Sequence, residues 1–468
     1  EAMESLLVLH QPEKIEMWNP DAVIQTFWDI SSQVLFSMSQ KLIQHQIATT
    51  IVTDVLKWLR KILECRNQFL KRHSEEANIG STIAICKQAH IKLEVVFFMY
   101  LWSIDPEAVL VSMSSFSLLC EEADIRCRSD EIITSTLILP NYHIYEELAQ
   151  ASSTLTMGRM VLQTQIMSLL PKIDTCNPGV SMAWDDTFIH WDNATKNLSQ
   201  FPKMAKGDDG GSSSSSSSSM DTFHRIGKRR ASHHSTEHEL EDQVNEWANM
   251  TGFLLALGGV CLQRKSPAGL RGWSSAANAA NANANDPLPL KKTQTHPNAL
   301  VSSVQSASVV SASGMLGPHG SGTDIQYCPV TQFLNQLLRL LVCPNEKFGT
   351  QIQKHVKELV GHEISDALYP ILFDQIKVIV EKFFDSTGQV IVNDTNTQFI
   401  EHIIFIMKNV LEQHTPENLG HTSIEQMMLA IVRYVRCLDT TVLALHIKTK
   451  LCQLVTAMMK QRDDLSFR

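Results

Sequence analysis

Residues 105–127 read DPEAVLVSMSSFSLLCEEADIRC. Asp105 suits the cap of a helix and Pro106 its first position, where the missing N–H costs nothing. Val109, Met113, Phe116 and Cys120 then recur at three- and four-residue steps, the spacing of one helix face rather than of a strand. Glu121-Glu122 close the stripe, and a polar break follows near Arg128 to Asp130. Upstream, Asn19-Pro20-Asp21 repeats the device ahead of a second stripe of Val23, Phe27, Ile30, Val34, Met38 and Leu42.

The same period continues along the chain. It predicts helices over about 48–73, 81–103, 143–171, 181–201, 240–263, 329–343, 347–360, 364–385, 395–413, 422–438 and 440–462. Glycine agrees, at 20 in 468 residues, below the usual ~7%. Ten of those 20 fall in two polar stretches, 202–238 and 264–325. The first holds eight consecutive serines, Ser212 to Ser219, and the second an Asn/Ala tract over 276–285. Neither composition can bury apolar area, so both are expected to be disordered loops.

An all-α fold follows, with helical segments at 1–201, 239–263 and 326–468 around the two loops. Antiparallel helices joined by short turns describe an α-solenoid of HEAT- or armadillo-like repeats, roughly eight or nine units of ~40–47 residues. Two or three separate helical bundles are the alternative, since no repeated motif is visible.

Charge and composition exclude several functions. The 40 Lys+Arg against 49 Asp+Glu give −9, which disfavours nucleic-acid and polybasic membrane-surface binding. Ten cysteines without a CxxC pair fit reduced thiols in the cytosol. The most apolar stretch, Gly252 to Leu262, is too short to span a bilayer, and no signal peptide is visible. The sequons at Asn193, Asn197, Asn249 and Asn393 are read as chance.

No enzyme, metal or cofactor motif is found. Phosphate-loop, dinucleotide and nucleophile-elbow patterns are missing, and His362-Glu363 fails the zincin pattern because Asp366 stands where the second His belongs. His224, His233, His234 and His238 read as a solvated polar run rather than metal ligands, and Asp385, Asn393 and Asp394 as caps rather than a calcium loop. Trp18, Trp28, Trp58, Trp102 and Trp247 read as core packing.

One short motif carries chemistry. Lys228-Arg229-Arg230-Ala231-Ser232 places two arginines at −3 and −2 of a serine, the pattern a basophilic kinase reads through carboxylates in its peptide groove. Phosphorylation of Ser232 would add about −1.5 to −2 charge beside the basic run. A merely solvated basic run is the other reading.

Several stretches together resemble the neurofibromin family of Ras GTPase-activating proteins. They are NPDAVIQTFWDISSQ (19–33), LKWLRKILECRNQFL (56–70), EAVLVSMSSFSLLCEEADIRC (107–127), NMTGFLLALGGVCLQ (249–263), KFFDSTGQVIVNDTNTQFIEHIIFIMKNVLEQ (382–413), SIEQMMLAIVRYVRCL (423–438) and IKTKLCQLVTAMMKQRDDLSF (447–467). The resemblance implies a cytoplasmic, non-catalytic helical scaffold preceding a separate Ras-activating domain. It also implies a homodimer in the full-length protein, protein partners including Ras through that other domain, and a regulatory role for Ser232. Such activators insert an arginine finger, usually in a Phe-Leu-Arg context; here Phe69-Leu70-Lys71 carries lysine, and the role is not transferred. A generic helical-repeat adaptor or transport-type scaffold unrelated to Ras is the competing expectation.

Overall fold

The computed structural model describes residues 1–128, 134–154, 158–199, 233–264, 328–413 and 423–460. Residues 1–263 and 329–468 belong to one unit; residues 264–328 separate as a second, which except for its two end residues lies outside the described residues.

The described residues form seventeen α-helices and no strand, with one isolated bridge between Phe384 and Val390. In chain order these are α1 (Ala2–Leu9), α2 (Pro12–Ile15), α3 (Val23–Ile43), α4 (Val52–Arg72), α5 (Ala84–Met99), α6 (Pro106–Arg128), α7 (Ser135–Ile138), α8 (Tyr142–Thr154), α9 (Arg159–Leu169), α10 (Pro178–Ser199) and α11 (His233–Cys261). There follow α12 (Pro329–Arg339), α13 (Gly349–His362), α14 (Tyr369–Glu381), α15 (Asp394–Gln413), α16 (Ile424–Arg436) and α17 (Val442–Lys460).

Helix α6 begins as the sequence predicts. The Glu107 amide donates to Asp105 Oδ1 at 2.9 Å, and Val109, Met113, Phe116 and Cys120 are all buried. Helix α3 departs from expectation. It starts at Val23, three residues beyond Pro20, because Asn19 accepts the Ala22 amide in a turn and turns its side chain to Thr26. Its inward face is also rotated: Ile24, Phe27, Trp28, Ser31, Ser32, Leu35 and Ser39 are buried, whereas Ile30 is exposed. Small serines let α5 pack close, so this face is not the most apolar one. The helix stops without glycine, since His45 takes a left-handed φ of 51° while its amide and that of Gln46 bind the Leu42 and Lys41 carbonyls.

The single helix expected over 143–171 is two, α8 and α9, on either side of residues 155–157. Gly158 caps α9, and the stretch before it is rich in Ser and Thr, poor helix formers. Helix α11 starts at His233, inside the stretch 202–238 expected to be a loop; residues 233–239 contain no Gly or Pro to stop it.

Packing is regular. Helix α3 packs on α5, α4 on α6, and α6 on α8; later α12 packs on α14, α13 on α15, α14 on α16, and α15 on α17. Within these two runs the packed partners are alternate helices. Between these runs α5 meets α10, α10 meets α11, and α11 meets α13. Helix α11 is buried on all sides from Met250 to Cys261. Its Leu254 carbonyl accepts the Trp184 indole N–H at 3.0 Å, and its Leu255 carbonyl accepts the Ser365 amide at 3.2 Å. Gly259 allows the second approach, because a Cβ there would lie 2.2 Å from Ser365 Oγ.

Gly252 to Leu262 is therefore a core segment. The described helix long and apolar enough by length and composition to cross a membrane is instead α17, with 22% of its apolar window buried. One such helix is weak evidence of a span.

Candidate functional site

The described residues bring most charge together where α3, α4, α5 and α6 meet. Helix α4 is strongly two-faced, and Arg66 falls on its inner side among Leu59, Ile62, Leu63 and Leu70. Helix α6 turns Glu122 inward because it lies three residues beyond Leu119 and seven beyond Ser115, both buried. Nη2 of Arg66 lies 3.4 Å from Oε2 of Glu122, with both side chains sealed from water. On the other oxygen, His90 Nε2 of α5 approaches to 2.8 Å and Arg126 Nη1 to 3.8 Å.

Aromatic faces complete the enclosure. The Arg66 guanidinium stands 4.8 Å from the Phe27 ring centre and 5.4 Å from that of Trp28, which also faces Arg126 at 5.4 Å. Arg66 Nη1 donates to Ser31 Oγ, Arg126 Nε to Asn78 Oδ1 at 3.1 Å, and Trp28 Nε1 to the Ala77 carbonyl at 3.0 Å. Burial alone would push the Glu122 carboxyl up; the charges of His90, Arg66 and Arg126 outweigh it and hold the group well below the usual carboxylate range. Burial lowers Arg66, opposed by Glu122. The adjacent Cys86 thiol, which accepts from Ser32 Oγ at 3.2 Å, is pushed up by burial and is a poor nucleophile.

A second buried acid is held by neutral donors, with the His90 charge opposing the effect of burial. Glu94 Oε2 accepts Tyr145 Oη and Asn177 Nδ2, each at 2.8 Å, and burial raises its carboxyl. It favours the protonated form. Gly179 faces it, and a Cβ there would collide with Oε2 at 2.4 Å.

A shallow cavity of about 310 Å³ opens beside the first cluster, lined by residues including Lys71, Cys120, Asp124, Arg128, Tyr142 and Glu146. Tyr142 donates to Asp124 at 2.9 Å and Lys71 to Glu121 at 2.5 Å. The Cys120 thiol is pushed up to about 12 by burial, then by Glu146 and Asp124, so it stays protonated at neutral pH.

Ser232, Lys228, Arg229 and Arg230 lie outside the described residues, as do the side chains of His224, His233, His234 and His238. Phe69 and Leu70 are core residues. Asp385 Oδ1 accepts the Thr387 and Gln389 amides, and Asn393 Oδ1 accepts the Asn396 amide, so both organise turns and caps. Among the described residues no group of three or more His, Cys, Asp or Glu could hold a metal ion. Trp28, Trp58, Trp102 and Trp247 are core, while Trp18 is half-buried. The sequence reading missed Arg66 and Glu122, taking the acid pair as the end of a stripe; the helical repeat from Ser115 and Leu119 would have found Glu122.

What the arrangement does chemically is fix four helices in one register. One carboxylate, Glu122, is shared by Arg66, Arg126 and His90, and breaking such a buried group is costly although making it adds little. No family model matches the chain.

Proposed function

We propose that the chain is a non-catalytic α-solenoid segment, of HEAT or armadillo type, from a neurofibromin-like Ras GTPase-activating protein. In this reading it positions a separate activating domain, supports self-association and partner binding in the cytoplasm, and is regulated by a basophilic kinase at Ser232 through Lys228, Arg229 and Arg230.

One observation carries the reading. The quoted stretches of resemblance follow in order along the chain, and their described parts lie on or beside α3, α4, α6, α11, α15, α16 and α17. The packing of alternate helices in two runs, α3 to α8 and α12 to α17, supports stacked helical pairs. A scaffold role is favoured over GTPase activation because the cations nearest the Phe-Leu-basic triplet are engaged: Arg66 is enclosed, and Lys71 is paired with Glu121. An inserted finger must reach the phosphates of a bound GTPase.

Single-turnover GTP hydrolysis by Ras decides. The chain alone is expected to leave the rate unchanged, and a version extended through the following domain to accelerate it by orders of magnitude. Acceleration by the chain alone sinks the scaffold reading; no acceleration by either sinks the link to Ras and leaves a generic adaptor.

A further inference from the structure

His45 and His190 are far apart in the sequence and meet in the fold, their ring centres 4.2 Å apart and the planes tilted by 60°. His45 stands two residues past the end of α3 and is exposed, while His190 lies on α10 and is half-buried. Helices α3 and α10 both pack on α5, so the two rings bridge neighbours of one central helix. The backbone is shaped for the encounter. At φ 51° His45 holds a left-handed conformation that glycine adopts more cheaply, and a glycine there would offer no ring to His190.

A neutral imidazole has one donor nitrogen and one acceptor nitrogen. His190 donates one to the backbone carbonyl of Ile43, the last residue of α3, which leaves its other nitrogen a bare lone pair. Among the described residues no side chain or amide donates to that lone pair, and no carboxylate pairs with either ring. Burial, then the neighbouring His45, holds His190 down to about 4, and burial lowers His45 as well. Both rings are therefore neutral at pH 7, with lone pairs to give.

We propose that His45 and His190 together bind one divalent transition-metal ion of the class that prefers imidazole, Cu2+, Zn2+ or Ni2+. The carbonyl behind His190 is the partner that orients a metal-bound imidazole and fixes its tautomer. Nitrogens about 2.0–2.1 Å from one ion set two ring centres about 4.5–5 Å apart, so the pair must open by roughly 0.5–1 Å, which the exposed turn carrying His45 can supply. Water completes the coordination, as in sites that stay open to exchange. Calcium and magnesium are disfavoured because both donors are nitrogen. A bound ion clips the end of α3 to α10. The proposal goes beyond the scaffold reading, and its outcome is independent of any effect on Ras.

The test is isothermal titration calorimetry of the whole chain with Cu2+ and with Zn2+ at pH 7, beside His45→Asn and His190→Gln. Asparagine tolerates the left-handed backbone, and circular dichroism before titration checks both folds. His45→Asn changes an exposed side chain and decides the matter alone if His190→Gln unfolds. The chain has 18 histidines, so the reading is the difference between proteins. Each variant should bind one ion fewer than the parent, or bind it at least about tenfold more weakly, with Cu2+ tighter than Zn2+ in the parent. The ion should also raise the Tm of the parent and leave that of His45→Asn unmoved. Equal stoichiometry and affinity in the parent and His45→Asn overturns the proposal. So does a site lost in His190→Gln but kept in His45→Asn, which places the ion on other ligands.

Discussion

Glu122→Gln removes one charge without changing shape, which makes it a clean probe of the enclosed cluster. Arg66, fully buried, would then face a neutral amide at 3.4 Å, and Arg126 would lose the same counter-charge. Removing one partner of a buried pair costs about 3–5 kcal/mol, a large part of the 5–15 kcal/mol that holds a typical domain. At about 2.1 cal/mol/K per residue over roughly 350 ordered residues, each kcal/mol moves Tm by about 1.4 °C, so a fall of about 4–7 °C is expected. The sign with pH is fixed by the depressed Glu122 carboxyl. Its stabilisation is present above the unfolded value of about 4.3 and fades as pH falls towards the folded value. The gap between parent and variant should therefore be full at pH 7 and shrink at pH 3. Differential scanning calorimetry with urea titration reads both quantities. A loss under about 1 kcal/mol at pH 7, or a gap that widens in acid, would refute the claim that the cluster fixes the register of α3 to α6. Glu13→Gln serves as the control, because its pair with Arg72 is exposed and worth little.

Glu94→Gln should do the reverse. Burial raises the Glu94 carboxyl above its unfolded value of about 4.3, so its contribution to stability falls as pH climbs from that value through the raised one, and the amide variant should gain on the parent over that rise in urea titrations. Gly259→Val should cost about 2–3 kcal/mol, since Ser365 Oγ and the Ala367 Cβ at 3.0 Å occupy the space; an unchanged urea midpoint contradicts it. Trp191→Phe deletes the 2.9 Å bond from the indole to Thr251 and should lose about 1 kcal/mol or more. If Ser232 is the kinase site, phosphate incorporation by a basophilic kinase should vanish in Ser232→Ala and drop at least tenfold when Arg229 and Arg230 become alanine; unchanged incorporation in either removes it.

The sequence was most readable where one face of a helix is wholly apolar. Val109 to Cys120 of α6 were placed correctly because their period and the Asp105-Pro106 start agree. Helix α3 misled because its inner face runs through Ser31, Ser32 and Ser39, whose burial depends on α5 packing against them. Periodicity ranks such residues as outward. The cluster was hidden for the same reason: Arg66 and Glu122 go inside only together, and each looks solvated when read alone. The break between α8 and α9 was blurred because the apolar period resumes almost in phase at Leu162 and Ile166.

Helix α11 occupies a peculiar place in the covalent chain. It is packed on every side from Met250 to Cys261, yet the stretch 202–232 enters one end and 265–327 leaves the other. Cutting both would detach it as a short peptide while Trp184, Ser365 and its apolar neighbours still hold it by packing. The molecule would then consist of three pieces with the middle one acting as a keystone. Its continuity as a chain and its cohesion as a fold would be separable, and the loss of that single peptide, by dilution or by competition, would open the contacts of α10 and α13 without breaking another bond.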